Sequence, residues 1–245
     1  MQRLVSIASL LGFIAVWQGL AWWFHSPLLP SPVEVFATVG RDVQSGELPY
    51  HLGITLARLS VSFLIAMSLG CALGIAMGRH PWLDRALDAW LTLFLNIPAL
   101  VIIILCYVWL GLTEFAAILA VVVNKLPNVA VTLREGARAL DPKLLEMAHC
   151  YRFGRWKTFR HVVWPQLYPF VIAASRTGLA LIWKIILVVE LLGRSNGMGY
   201  QLHLFFQLFD VAGILAYTLA FVVVIQLLEW SALKPLDRYA NRWRP

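Results

Sequence analysis

DPKLLEMAHCYRFGRWKTFRHVVWP, residues 141–165, is the longest polar run in an otherwise apolar chain and is dense in Arg and Lys. Asp141 suits a helix N-cap, and Pro142 suits the first helical position, where its missing N–H costs nothing. Leu144, Leu145, Ala148 and Tyr151 then recur at helical spacing, which predicts a short amphipathic helix. Gly154 is expected to end it in a left-handed cap. A second helical stretch, Trp156 to Trp164, runs into Pro165. A helix–turn–helix of this size does not cross a bilayer. It presents a rigid, basic face on one side of it.

The rest of the chain explains why such a face stands out. Hydrophobic residues make up 60% and charged residues 13%. That leaves too few polar groups to coat a soluble globule, so the chain reads as an all-α integral membrane protein. A spanning helix needs about 20 apolar residues. Six such stretches are expected, at about 4–24, 52–77, 91–110, 115–133, 168–192 and 211–230, within a single transmembrane domain, 1–245. The first is too long for a signal-peptide core and lacks a cleavage site, so it is expected to stay. Pro27, Pro30 and Pro32 break the helix after it. Val33, Phe36, Val39 and Val43 predict a short interfacial helix. Pro81 to Asp88 reads as a polar connection, Gly111 to Glu114 as a tight turn and Gly193 to Tyr200 as a flexible loop. Gly70, Gly74 and Gly78 are four apart and allow close helix approach. Arg58, near the outer end of the second span, reads as snorkelling to the interface. Cys71, Cys106 and Cys150 form no metal-like pattern and are expected to be free thiols.

Orientation follows from Lys and Arg in the short loops. One side holds Arg3, Arg79, Arg85, the cluster from Arg134 to Arg160, and Lys234, Arg238, Arg242 and Arg244; the other holds Arg41 and Arg194. Both termini and the loop 134–165 are therefore expected in the cytoplasm. The net charge of +7 is topological, which argues against nucleic acid as a partner.

With that topology the loop resembles the coupling loop of permeases of binding-protein-dependent ABC importers. Their pattern is Glu-Ala-Ala, three residues, Gly, nine residues, Ile, one residue, Leu-Pro. Glu146-Met147-Ala148 fills the opening triplet, and Val162, Trp164 and Pro165 close it at the right spacing. The pattern's Gly falls on Arg152. Because Arg avoids positive φ, the tight turn is expected to move to Gly154. Leu29-Pro30-Ser31-Pro32 with Glu34-Val35, Ser45-Gly46-Glu47-Leu48, Arg58, Arg176, Trp183, Glu190-Leu191-Leu192-Gly193 and Asn196-Gly197-Met198-Gly199-Tyr200 resemble one subfamily. Its members carry taurine and other sulfonates, nitrate, bicarbonate or thiamine-pyrimidine precursors. Lys125 and Lys184 depart from that subfamily, and the third span lacks its usual Pro-Leu-Ala-Trp run.

The resemblance implies a type I importer permease with six transmembrane helices in the bacterial inner membrane, and a coupling helix between spans four and five. It implies a second copy of the chain, a cytoplasmic ATPase subunit that binds ATP and Mg, and a periplasmic or lipid-anchored binding protein, all set in lipid. No cofactor or metal is expected in this chain. The ATPase-coupling residues implied are Leu145, Glu146, Ala148, Arg152, Gly154 and Pro165.

No catalytic constellation is present. The six histidines are scattered, Ser195 has no base at a pairing position, and no Gly-x-x-x-x-Gly-Lys-Ser/Thr phosphate loop exists. The informative residues are charges inside spans. A Lys at mid-bilayer costs about 2.5–3.5 kcal/mol on insertion scales. Lys125 and Lys184 should therefore face a bundle interior or a wet cavity. They read either as a positive lining for an anionic solute, such as a sulfonate, an oxyanion or a carboxylate, or as buried pairs with Glu190, Asp210 or a neighbouring subunit. Arg176, Trp183 and Glu190 match the subfamily and are expected to gate or stabilise the path. A thiamine-precursor or other neutral or cationic permease is the alternative. A membrane-embedded enzyme or an ATP-independent transporter fits less well.

Overall fold

Ser31, Thr113 and Asp141 each stand just before a helix and each cap it with a side-chain oxygen. Ser31 accepts from the Glu34 N–H at 3.2 Å while the Glu34 carboxylate accepts from the Ser31 N–H at 2.9 Å, a reciprocal capping box. Thr113 accepts from Ala116 N–H at 3.1 Å, and Asp141 from Lys143 N–H at 2.8 Å. The computed structural model describes residues 2–26 and 28–233. Pro27 and the basic residues Lys234, Arg238, Arg242 and Arg244 lie outside the described residues, as does the side chain of Arg3.

Every regular element among the described residues is helical. In order they are α1 (Gln2–Phe24), α2 (Pro32–Gln44), α3 (Glu47–Arg79), α4 (Pro81–Asn96), α5 (Ala99–Leu110), α6 (Glu114–Arg138), α7 (Pro142–Cys150), the single turn α8 (Arg155–Thr158), a π-helical turn (Phe159–Val163), α9 (Trp164–Gly193), α10 (Met198–Gln207), α11 (Val211–Leu228) and a second π-helical turn (Glu229–Leu233). Four stretches are long and apolar enough to cross a membrane: Glu47–Arg79, Glu114–Arg138, Arg155–Gly193 and Val211–Ser231. The bent pair α4 and α5 makes up to five, and α1 adds the shorter apolar stretch Leu11–Phe24.

The expected third span, 91–110, is not one helix. α4 and α5 meet at a bend of 98°. Pro98 disfavours helical geometry at the residue before it, and Ile97 is extended at φ −74°, ψ 126°. α5 alone has 12 residues, about 18 Å of helix, too short to span. The expected polar connection 81–88 is the first half of α4. The second helix of the polar loop does not stop at Pro165 either: it passes through the π-turn into α9.

The chain forms two groups of elements. The first is Met1–Leu56 with Glu190–Gln226. Within it Trp17 Nε1–H donates to the Pro30 carbonyl at 3.0 Å, fixing the entry of α2 against α1. α2 buries Val35 and Thr38, while Val33, Phe36 and Val43 are exposed. Asp210 starts α11 by accepting from Gly213 N–H at 2.9 Å. Instead of an open loop, residues 194–197 form a tight turn into α10, with Gly197, Met198 and Gly199 buried.

The second group comprises Ala57–Val189 and the chain from Leu227. Its centre is the contact of α3 with α6. A Cβ on Gly70 would lie 2.6 Å from Val129 Cβ, one on Gly74 2.3 Å from the Ala130 carbonyl oxygen, and one on Gly78 2.6 Å from Ala137 Cβ. The small-residue stripe thus brings two backbones together. α4 and α5 pack on α6. Arg134 and Arg138 near the end of α6 pair with Asp84 and Asp88 of α4. Arg58 does not snorkel: it is 4% exposed and grips the Glu114 carboxylate, with Nε at 2.8 Å from Oε2. A fork-on-carboxylate pair keeps the guanidinium satisfied away from water.

Gly74→Val is expected to destabilise the protein by about 1–3 kcal/mol, the usual cost of forcing bulk into a filled contact. Gly53→Ala, where nothing lies within 4 Å of the new carbon, is expected to be neutral or mildly stabilising. Thermal unfolding of the detergent-solubilised protein compares them, and equal midpoints would contradict the packing role of the stripe.

Candidate functional site

The polar loop is a built object with an inner and an outer face. Ala148 is 1% exposed and Leu145 is half-buried, packing with Leu140 and Phe159 against Ala137, Val163 and Leu167. The loop's start is tied down by Gln166, whose Oε1 accepts from Asp141 N–H at 2.8 Å while its Nε2 donates to the Val162 carbonyl at 2.8 Å. Glu146, Arg152, Gly154 and Pro165 are exposed. So are five large apolar or aromatic side chains, Leu144, Met147, Tyr151, Trp156 and Trp164.

The turn that ends α7 sits at Arg152, not at Gly154. Arg152 has φ +51°, while Gly154 is extended at φ −65°, ψ 161°. α7 stops with Tyr151 as its C-cap, so the left-handed position falls on the next residue. Arg152 N–H donates to the His149 carbonyl and Phe153 N–H to the Ala148 carbonyl, both at 2.9 Å. That is the Schellman pair of hydrogen bonds. It holds an L-residue where a glycine costs less, at roughly 1–2 kcal/mol. Gly154 instead caps α8.

The charged residues expected to act together are separated. Lys125 on α6 is 2% exposed and makes no hydrogen bond or ion pair among the described residues. Its Cε lies 3.2 Å and its Nζ 3.9 Å from where a Cβ on Gly178 would sit, with Phe63 beside them. Gly178 thus leaves the room the ammonium occupies. Lys184 is exposed, with Nζ 5.4 Å from the centre of the Trp183 ring. It lies six residues beyond Gly178, on another face of α9. Arg176 is also exposed and Trp183 half-buried.

Glu190 belongs to a different structure, in the first group of elements. It is fully buried, and its carboxylate sits at the start of α10. Gly199 N–H donates to Glu190 Oε2 at 2.9 Å. Thr55 Oγ1 accepts from Met198 N–H at 2.8 Å and lies 2.9 and 3.0 Å from the two Glu190 oxygens. Gly197 N–H donates to His51 Nδ1 at 3.0 Å. Gly197 has φ +109°, and a Cβ there would lie 2.4 Å from the Glu190 carboxylate. Only glycine fits. The first N–H groups of a helix lack intrahelical partners and carry partial positive charge. Here a carboxylate, a hydroxyl and an imidazole satisfy three consecutive ones. His51, Thr55 and Gln201 were not foreseen. The signal available was a His and a Thr four apart at the start of an apolar helix, which places both on one face.

Residues 62–233 match the family described as the binding-protein-dependent transport system inner membrane component. The chain belongs to that family. It is the permease subunit of an ABC importer, a multi-pass membrane subunit without catalysis of its own. It is 30% identical over 233 residues, 94% of this chain and 84% of the relative, to SsuC of Bacillus subtilis (strain 168), named for aliphatic sulfonates transport. It is 31% identical to the SsuC permease of Escherichia coli (strain K12), over 96% of this chain and 89% of that one. The taurine transport system permease TauC of the same strain is 25% identical over 99% of this chain and 90% of TauC. In fold, it is similar to a chain of the inward-facing MetNI methionine ABC transporter, with a TM-score of 0.69 and 18% identity over 81% of this chain and 98% of that one.

Two substitutions test the geometry of these permease elements. Arg152→Gly is expected to stabilise the loop, by about 1 kcal/mol, while Gly154→Ala stays near neutral, because nothing lies within 4 Å of the added carbon. Thermal unfolding reads both; a destabilised Arg152→Gly protein would overturn the assignment of the turn. Glu190→Leu strands the Gly199 N–H in a buried site and is expected to cost about 1–3 kcal/mol. Glu190→Gln, which keeps one acceptor, should cost less. Equal losses would show that the carboxylate is not the acceptor that matters.

Proposed function

We propose that this permease carries a small organic anion, of the sulfonate or carboxylate kind, across the inner membrane, and that Lys125 is the residue that selects its charge. The observation that supports this is the buried, unpaired ammonium at mid-span. An ionised side chain far from water keeps its place only with a partner or a wet path. Among the described residues Lys125 has no protein partner, so a passing anion is the group that completes it. The names of the similar permeases, for aliphatic sulfonates and for taurine, point to the same chemistry. Lys184 is exposed and lies on another face of its helix from Gly178 and Lys125, so the charge reading is built on Lys125.

The remaining parts follow from the family. Two copies of the chain pair, each with its own ATPase subunit on the cytoplasmic side, and a binding protein delivers the solute from outside. ATP and Mg are held by the ATPase. The crossing helices number six, with α1 as the first and the broken pair α4 and α5 as the third. Both termini and the α7 loop lie in the cytoplasm, where Arg79, Arg85 and the loop cations cluster. In the loop, Leu145 and Ala148 lock α7 to its own chain. Leu144, Met147 and Tyr151 offer the apolar surface that enters the ATPase, with Glu146 and Arg152 at its rim.

Transport in proteoliposomes, with the cognate ATPase and binding protein, tests the charge reading. Lys125→Met keeps the length and apolar bulk of the side chain and removes its charge. Uptake of the anion is expected to fall at least about tenfold, the size of roughly 1.4 kcal/mol in the transport barrier, with Lys125→Arg retaining part of it. Wild-type uptake by Lys125→Met, or a native substrate that is a cation, would overturn the proposal.

A further inference from the structure

The polar contacts at the start of α10 include one group that a proton can redirect on acidification, the imidazole of His51. It is 5% exposed on α3. Gly197 N–H donates to Nδ1 at 3.0 Å, so Nδ1 is bare and the ring proton is on Nε2. Nε2 lies 2.7 Å from the Gln201 Nε2 position; because two donors cannot face each other, the amide is assigned with its oxygen and nitrogen exchanged, so that its oxygen accepts from the Nε2–H. Nε2 also lies 3.4 Å from the Glu47 carboxylate, whose side chain is 62% exposed. The geometry therefore fits the neutral ring only.

We propose that His51 is a proton-operated latch on the turn 194–197: the neutral imidazole holds Gly197, and the imidazolium releases it and pairs with Glu47. A proton on Nδ1 sets two N–H donors against each other across 3.0 Å. The Gly197 amide then has no acceptor at that position, and the start of α10 loosens. The same proton turns the Glu47 contact into an ion pair. The latch thus has a partner in each state, Gly197 in one and Glu47 in the other.

The groups around the ring define its surroundings. Glu47 stands on the same helix, and Glu190 of α9 lies directly under Gly197. Arg194 is on the turn itself. The rings of Tyr50 and Tyr200 flank the imidazole, with centroids 5.1 and 6.2 Å away. Beyond Glu47, Asp42 of α2 lies close enough to Tyr217 of α11 to act on it electrostatically. Thr55 and Glu190 hold Met198 and Gly199 in either state, so the latch frees one amide without dismantling the whole turn. On the expected topology this turn faces the outside, where a binding protein delivers solute and where external pH acts.

Amide hydrogen exchange of the full-length permease in lipid nanodiscs tests the latch, read on peptides covering residues 194–201. Rates are divided by the intrinsic rate at each pH, between about pH 8 and about pH 5, the range in which histidine changes charge. Wild-type protection is expected to fall reversibly by about tenfold on acidification, while a reference peptide in α6 keeps its protection. His51→Asn, which offers an uncharged oxygen near the Nδ1 position, should stay protected at both ends of the range. His51→Ala should be unprotected at both. Glu47→Gln, which weakens the released state, should move the wild-type transition to lower pH. Wild-type protection that is equal at both pH values, an equal fall in His51→Asn, or an unmoved transition in Glu47→Gln would each overturn the proposal.

Discussion

Glu190 is fully buried, and taking a carboxylate out of water costs several kcal/mol unless its oxygens are satisfied. The chain meets that cost by placing it where another deficit exists. α10 begins with N–H groups that no carbonyl of its own helix reaches. Each need answers the other: Gly199 N–H and the Thr55 hydroxyl fill the carboxylate, and the carboxylate screens the positive end of α10. Gly197 is the geometric condition for the meeting, because any Cβ would occupy the carboxylate's place. The conformation of residues 194–199 therefore depends on one buried anion. Three side chains from α3 and α9, His51, Thr55 and Glu190, hold it there.

The second group of elements solves a different problem. In lipid there is little hydrophobic gain from packing one apolar helix on another, so close contact must come from shape. Gly70, Gly74 and Gly78 supply it, bringing α3 against the backbone of α6. Gly178 does something related at Lys125, where its missing side chain makes room for an aliphatic stem and an ammonium. Two sets of charges in this group are paired. Arg58 holds Glu114, and Arg134 and Arg138 hold Asp84 and Asp88. Lys125, by contrast, makes no hydrogen bond or ion pair among the described residues, and it falls in the middle of a span.

Local features were legible in the sequence, and features that join distant residues were not. Asp141 with Pro142, and the start of α2 near Pro32, follow from chemistry within a few residues, and the structure has helices where that chemistry puts them. The apolar cores of α3, α6 and α11 follow from the sequence, while α3 starts earlier, at Glu47, and α6 runs on to Arg138. Pro98 was visible too, but its effect depends on whether neighbouring helices re-satisfy the freed backbone; here Ile97 turns extended and the span breaks. Arg152 was misplaced because propensity gave way to closure. The end of α7 is set by Ala148 packing inward, and the residue one past the cap must then take positive φ whatever its type. For His51 and Thr55 the sequence marked a shared helix face, but not their pairing with residues 190–199. Thr55 and Glu190 are 135 residues apart in the chain, and single positions carry no record of such a contact.

The join between the loop and α9 shows how an irregular backbone can follow from ordinary residues. Pro165 and Pro169 have no N–H, so the carbonyls of His161 and Pro165 lose their usual partners four residues on. A regular helix would carry two gaps in one stretch of its ladder. The chain instead widens the turn just before: Trp164 N–H reaches back to Phe159 rather than to Arg160. A π-turn of this kind bends a helix where hydrogen bonds are already missing. Val162 and Val163 on the turn are buried, and Val163 packs in the cluster that holds Leu145. Gln166 spans the same joint, taking the Asp141 N–H with one end of its amide and the Val162 carbonyl with the other. α7 is therefore fastened to the first turns of α9 by packing and by hydrogen bonds, across a segment in which two prolines supply no backbone donor.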